Sequence, residues 1–111
     1  YLKEKKYFLD LLFKNEKLTI EPFKSVAQFL EEGNLLNHCI FSNSYHKRKN
    51  SLLFSVRLNG VPIETIEYCL ETKRVLQSRG KNNLPSKMNG EILSLFTQNK
   101  SKIDTRVKQS A

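Results

Sequence analysis

Apolar and polar residues alternate most regularly in the middle of the chain, and this pattern predicts β-strands there. Two alternating runs, residues 51–58 and 61–70, are separated by Asn59-Gly60, a dipeptide typical of a tight hairpin. Glu71 to Lys73 predicts a second turn, and Arg74 to Arg79 a third strand. We therefore expect a three-stranded antiparallel meander.

Apolar residues at helical spacing predict helices on both sides of this meander. The first covers residues 1–15, with apolar positions at Leu2, Leu9, Leu12 and Phe13. The second begins at Ser25, which fits an N-cap with Gln28 three residues later, and ends at Gly33. The last opens at Pro85-Ser86, and its inward positions are Ile92, Leu95, Phe96, Ile103 and Val107.

These elements predict an α+β fold in which helices before and after the meander pack against one face of the sheet. The 111 residues suffice for one domain. Within it we expect an N-terminal helix and connection over residues 1–24, a core over 25–99, and a basic tail or helix end over 100–111. The chain starts with Tyr1 rather than Met, so we expect it to be part of a longer protein.

The net charge of +8 is concentrated in the second part of the chain. Residues 1–46 carry six lysines and six acids, whereas residues 47–111 carry thirteen Lys and Arg against five acids. A half so basic predicts a polyanionic partner, nucleic acid before an anionic membrane, although the charge could also serve solubility alone. No apolar run is long enough to span a bilayer and no signal peptide is visible, so we expect a cytoplasmic protein without a membrane partner.

The register of the predicted meander decides which side chains lie together. If Leu70 faces Arg74 across the second turn, four polar side chains share one face, namely Thr65, Glu67, Gln77 and Arg79. A slip of one residue would turn one strand over and separate them. The opposite face is then the core side, with apolar Ile66, Tyr68, Leu70 and Leu76 but also Glu64 and Ser78.

The four polar side chains form a candidate site. Arg79 could hold a phosphate or carboxylate group, with Gln77 fixing its orientation. Alternatively, Glu67 and Arg79 form an ordinary surface ion pair, which would contribute about 0–1 kcal/mol and carry no function.

A basic segment before the first strand adds further candidates. Residues 41–50 predict a surface loop whose tip carries Tyr45, His46, Lys47, Arg48 and Lys49. The cations suit a phosphate backbone, and the tyrosine could either stack on a base or anchor the loop by packing.

His38 and Cys39 precede that loop. His38 is a candidate acid or base, although a histidine buried beside the helix end is the simpler interpretation. Two cysteines and two histidines without zinc-site spacing predict no metal, and we expect no other cofactor. Cys39 fits a small core residue.

The order of these residues resembles the PcfJ-like family over about residues 25–96. The resemblance implies a bacterial cytoplasmic protein encoded on a conjugative plasmid, an integrated element or a phage, near DNA transfer. The family's recurrent positions map onto His38, Cys39, Tyr45, Arg57, Glu64, Thr65, Glu67, Gln77, Arg79 and Gly80.

Three functions compete at this point. The leading hypothesis is a nucleic-acid-associated accessory domain of a mobile element, in which Arg79, Arg57 and Lys47 to Lys49 contact phosphates. The first alternative is an enzyme acting on a phosphodiester or nucleotide, with His38 and Glu67 as acid and base and Arg79 and Gln77 as anion grip. The second is a protein-interaction module, with a partner from the same element.

Overall fold

Five antiparallel strands form one sheet in the order of the chain, β1-β2-β3-β4-β5. The computed structural model describes residues 5–36 and 51–110. The strands are β1 (Phe13–Lys14), β2 (Leu18–Pro22), β3 (Ser51–Leu58), β4 (Val61–Cys69) and β5 (Arg74–Gly80). The helices are α1 (Val26–Leu36) and α2 (Asn89–Ser110), with 3-10 turns at Lys6–Phe8 and Lys81–Asn83. The α+β class is confirmed, but the predicted meander is only three strands of a larger sheet.

The predicted N-terminal helix is wrong for the part of it that the structure describes. After the 3-10 turn, Phe13 pairs with Ile20 and Lys14 with Thr19, so this segment forms the first hairpin of the sheet. Asn15 stabilises the turn because its Oδ1 accepts hydrogen bonds from the backbone amides of Lys17 and Leu18. Pairing with β2 thus overrides the weak helical spacing of the leucines.

Helix α1 begins as the sequence predicts. The Gln28 amide donates to Ser25 Oγ at 3.1 Å, and Gln28 Oε1 accepts in return from the Lys24 amide at 2.8 Å. The expectation that Gly33 ends this helix is wrong, because the helix continues to Leu36. Glycine inside a helix costs about 1 kcal/mol relative to alanine, which is not enough to stop it.

Helix α2 covers one face of the sheet with an apolar core. Its Phe96 packs against Phe13, Phe54 and Tyr68, with ring centroids 5.2–5.7 Å apart. Ile92, Leu95 and Ile103 are buried, and Val107 packs beside them, as predicted. The helix begins at Asn89 rather than at Pro85-Ser86, and it includes the predicted basic tail as far as Ser110.

Helix α1 lies on the other face, above β3 and β4, where its Glu32 meets Ser55 and Thr65. The expectation that the helices share one face is therefore wrong. Neither helix of the described residues has the length and apolar character needed to cross a membrane.

The β4–β5 hairpin differs from the prediction at its tip and agrees with it further along. Cys69, not Leu70, faces Arg74. A bulge then leaves Leu76 without a partner and restores the predicted register, in which Glu67 faces Gln77 and Thr65 faces Arg79. Leu76 is 52% exposed, so its predicted place in the core is wrong, whereas Ile66 and Tyr68 are buried. Between β3 and β4, Asn59 and Gly60 adopt positive φ of 51° and 85°, as the hairpin prediction requires.

Candidate functional site

The polar face under α1 is built from two rows of paired residues. Ser55, Thr65 and Arg79 lie side by side on β3, β4 and β5, and Leu53, Glu67 and Gln77 form the neighbouring row. The four polar residues that the sequence groups on one face are therefore together. Arg57 lies on the same side of β3, two residues beyond Ser55.

Glu67 is held inside this face rather than presented on a surface. It is 1% exposed, Ser51 Oγ donates to its Oε2 at 2.5 Å, and Gln77 Nε2 donates to its Oε1 at 3.0 Å. Both partners lie on neighbouring strands, so Glu67 ties β3 and β5 to β4.

Glu67 and Arg79 do not form the ion pair that was the alternative interpretation of this patch. Arg79 Nη1 donates instead to the backbone oxygen of Ser78 at 3.2 Å, and the side chain is half-buried. The guanidinium retains further N–H donors for a ligand.

The centre of the face belongs to Glu32, a residue that the sequence analysis did not select. The Glu32 side chain extends from α1 to the sheet, where Ser55 Oγ donates to Oε1 and Thr65 Oγ1 donates to Oε2 at 2.8 Å. Glu32 is 2% exposed, and both hydroxyl-bearing residues are fully buried. A carboxyl so enclosed must either find partners or take up a proton.

Burial raises the pKa of Glu32 to about 7, since removal from water disfavours the charged carboxylate. The hydrogen bonds from Ser55 and Thr65 and the positive charge of Arg57 lower that pKa, but burial outweighs them. At neutral pH Glu32 is therefore present in both its protonated and ionised forms, the condition that general acid–base catalysis favours.

Arg57 connects this carboxyl to a cleft. Its Nε donates to Ser55 Oγ at 3.3 Å, and Ser55 in turn donates to Glu32. In the described part of the chain Arg57 has no ion-pair partner. The cleft has a volume of about 130 Å³, and its lining includes Gln28, Glu31, Glu32, Leu35, Arg57 and Pro62.

A signal for Glu32 was present in the sequence. It follows Phe29 by three positions and precedes Leu36 by four, so it interrupts the apolar stripe of its helix. An acid inside such a stripe predicts a buried, hydrogen-bonded carboxyl. The hydroxyls that donate to this carboxyl come from two strands far away in the sequence. The spacing of residues within the helix could not reveal them.

Comparison with known proteins places the chain in a family. A family model described as PcfJ-like protein matches residues 1–92. The chain belongs to the PcfJ-like protein family. The match includes the β1–β2 hairpin, which lies outside residues 25–96, the segment that carries the resemblance described above. No curated protein and no solved structure matches the chain.

Among the recurrent positions of the PcfJ-like resemblance, Glu64 has a structural explanation. It lies on the α2 face, and its two oxygens accept hydrogen bonds from Ser78 Oγ, from the amide and hydroxyl of Ser86, and from Asn89 Nδ2. These bonds fasten the loop before α2 to the sheet. The presence of Glu64 and Ser78 on the core side is thereby explained.

Gly80 has a structural explanation too. A Cβ at this position would collide with the backbone oxygen of Ile63, and it would lie 3.2 Å from that of Leu84. The Gly80 amide donates to Leu84 O at 2.7 Å, so the loop passes directly over the end of β5. Two of the recurrent positions therefore maintain the fold beside the site.

The remaining predicted site residues lie outside the described residues. They are His38, Tyr45, Lys47, Arg48 and Lys49, together with Cys39. Their roles stay predictions. Within residues 5–36 and 51–110, no three His, Cys, Asp or Glu side chains are arranged to hold a metal ion.

A second surface feature of this PcfJ-like chain is apolar. Leu84 is 63% exposed and lines a cavity of about 260 Å³. Other lining residues are Leu36, Pro62, Ile63, Lys81, Pro85 and Ser86. Exposed apolar surface of this kind is what the protein-interaction alternative needs.

Proposed function

We propose that this PcfJ-like chain is a nucleic-acid-associated accessory domain of a mobile genetic element. One observation carries the proposal: of the nine cations of the basic half whose side chains the structure describes, five are exposed and none is buried, whereas some of its acidic residues are buried. Glu64 and Glu67, two of its five acids, are 0% and 1% exposed. Groups able to reach a partner are therefore predominantly positive, which favours a phosphate backbone.

Three cations lie together at one end of the sheet, which we call the basic end: Lys73, Arg74 and Lys100. Lys100 Nζ donates to the backbone oxygen of Lys73 at 3.3 Å, so α2 brings its charge to the β4–β5 turn. Glu71 lies in the same turn and offsets one of the three charges. The basic end supplies sequence-independent contacts, and Arg57 and Arg79 add guanidinium groups on the α1 face.

The test is a binding titration of the chain against single-stranded DNA, duplex DNA and RNA at about 50 and about 200 mM salt. The double variant Arg74→Glu/Lys100→Glu should weaken binding at least tenfold and reduce the salt dependence, because each lost phosphate contact lowers the log–log slope by about 0.7–0.9. Arg79→Ala should weaken binding by a smaller factor.

The matched control is Lys14→Glu/Lys17→Glu, which changes the net charge equally at the opposite end of the sheet. Lys17 O accepts from the Asn59 amide at the β3–β4 turn, and Lys14 pairs with Thr19 close by. No binding at low salt would contradict the function. Equal losses in both double variants would contradict the assignment to the basic end.

A second candidate function is an enzyme acting on a phosphodiester or nucleotide, and Glu32 is the observation that favours it. Its carboxyl has a pKa of about 7 and lies beside Arg57 at a cleft. These are the properties of a general acid or base with an anion-binding neighbour. Glu32 would then take the acid–base role that the sequence analysis predicts for His38 and Glu67.

If this candidate is correct, the rate of hydrolysis should change with pH around 7. The variant Glu32→Gln should lose that pH dependence. Incubation with nucleotides and single-stranded oligonucleotides, followed by product separation, measures it. Unchanged turnover in Glu32→Gln would remove the candidate.

A further inference from the structure

The cleft beside Arg57 has the size of a site for one small group. Its volume of about 130 Å³ is well below the roughly 300–1,000 Å³ of typical small-molecule pockets. It lies between α1, which supplies Glu31 and Leu35, and the β3–β4 hairpin, which supplies Arg57 and Pro62.

Two charged side chains that line the cleft have donors or acceptors available for a ligand. Arg57 uses Nε on Ser55, which leaves the two terminal nitrogens as a fork of donors. Glu31 is exposed and has no ion-pair partner in the described part of the chain, so both of its oxygens can accept. Glu32 differs from Glu31, because its two oxygens already accept hydrogen bonds from Ser55 and Thr65.

The charges of the cleft favour an uncharged polar group over a free anion. The positive charge of Arg57 is offset by Glu31 and, in part, by Glu32, so a phosphate would meet repulsion as well as attraction. An uncharged group that offers acceptors to the Arg57 guanidinium and donors to the Glu31 carboxylate suits both side chains. Leu35, which is 58% exposed, and Pro62 add apolar surface against which a flat ring can lie.

We propose that this cleft binds one unpaired guanine base, with the Arg57 fork on O6 and N7 and the Glu31 carboxylate on N1–H and the N2 amino group. Guanine is the nucleobase that presents two adjacent acceptors on one edge and two adjacent donors on another. The inference deepens the nucleic-acid function and rests on it for the source of the base. A free guanine nucleotide offers the same edges and is the other source.

Atom changes in the ligand test the assignment without altering the protein. The probes are short pyrimidine oligonucleotides with one central guanine, adenine, hypoxanthine or 7-deazaguanine. Guanine should bind about tenfold more tightly than adenine, as one well-placed bidentate contact provides. Hypoxanthine, which lacks the N2 amino group, and 7-deazaguanine, which lacks N7, should each lose several-fold of that gain.

Variants of the chain then assign each contact. In Glu31→Gln the penalty for hypoxanthine should shrink, and in Arg57→Lys the penalty for 7-deazaguanine should disappear because the fork is lost. Glu16→Gln and Arg106→Lys are the matched controls, since neither residue lines the cleft, and both penalties should persist in them. Equal binding of guanine and adenine, or penalties that survive in the cleft variants, would overturn the inference.

Failure of this inference is distinguishable from failure of the proposed function. Salt-dependent binding that ignores the central base would retain the nucleic-acid function and remove the guanine site. Binding of guanosine monophosphate that Arg57→Lys abolishes, with no binding of any oligonucleotide, would retain the site and remove the function.

Discussion

The two faces of the sheet bury very different material under their helices. Beneath α2 the sheet is apolar, and Phe96 closes an aromatic cluster with Phe13, Phe54 and Tyr68. Beneath α1 the central strands present hydroxyls and carboxyls beside one buried leucine, Leu53. The first face can supply most of the driving force of folding, since burial of apolar area is the dominant favourable contribution. On the second face, hydrogen-bonded polar side chains take the place of most of that apolar contact.

Both faces contain buried carboxyls, and Glu64 and Glu32 differ in their hydrogen-bond partners. Glu64, on the α2 face, accepts from four donors, one of which is a backbone amide. Glu32, on the α1 face, accepts from two hydroxyls. Glu64 thus fastens a loop to the sheet, whereas burial raises the pKa of Glu32 to about 7.

The largest effect should come from the apolar face. Phe96→Ala should lower the free energy of unfolding by about 4–5 kcal/mol, because it removes an aromatic ring from the centre of the core and leaves a cavity. Urea denaturation of the chain measures it. Thr97→Ala, at the exposed next position of the same helix, should change stability by no more than about 0.5 kcal/mol. Equal effects would contradict the assignment of the core to α2.

The two carboxyls should respond unequally to truncation. Glu64→Ala should cost about 3–4 kcal/mol at pH 8, since it leaves four donors without their acceptor, one of them the buried Ser78 hydroxyl. Glu32→Ala should cost roughly 1 kcal/mol at that pH, because the two hydroxyls can rotate to other acceptors and a disfavoured charge is removed. Thermal unfolding of both variants compares them. A larger loss for Glu32→Ala would reverse the distinction drawn between the two sites.

A further effect is the pH dependence of stability that Glu32 should produce. Its pKa rises from 4.5 to about 7 on folding, so between these values the folded chain binds more protons than the unfolded chain. Its contribution is therefore full below about pH 4.5, falls as pH rises to 7, and is lost above that, by about 3 kcal/mol in all. Urea unfolding at several pH values measures the slope.

Two variants isolate this titration. Glu32→Gln should remove the corresponding part of the slope, whereas Glu16→Gln, at an exposed position on the β1–β2 turn, should leave it in place. The same slope in wild type and Glu32→Gln would show that another group titrates.

Local sequence determined the elements whose signals act over a few residues. Asn59-Gly60 predicts its hairpin because only residues that tolerate positive φ fit that turn. Ser25 and Gln28 predict the start of α1 because both hydrogen bonds of the cap are local. The grouping of Thr65, Glu67, Gln77 and Arg79 also followed, since side chains two apart on a strand share a face. The register at the hairpin tip did not, because a bulge there depends on the packing of the whole sheet.

Tertiary structure alone decided how the sheet is completed and where its polar centre lies. The segment around Phe13 becomes a strand because β2 pairs with it and α2 packs over it, contacts that its own spacing does not encode. Glu32 becomes the centre of the α1 face because Ser55 and Thr65, 23 and 33 residues away, supply its donors. Alternation and spacing thus predict which side chains share an element. Which elements come to face each other depends on burial summed over the whole chain, and that is what gives Glu32 and Glu64 their different environments.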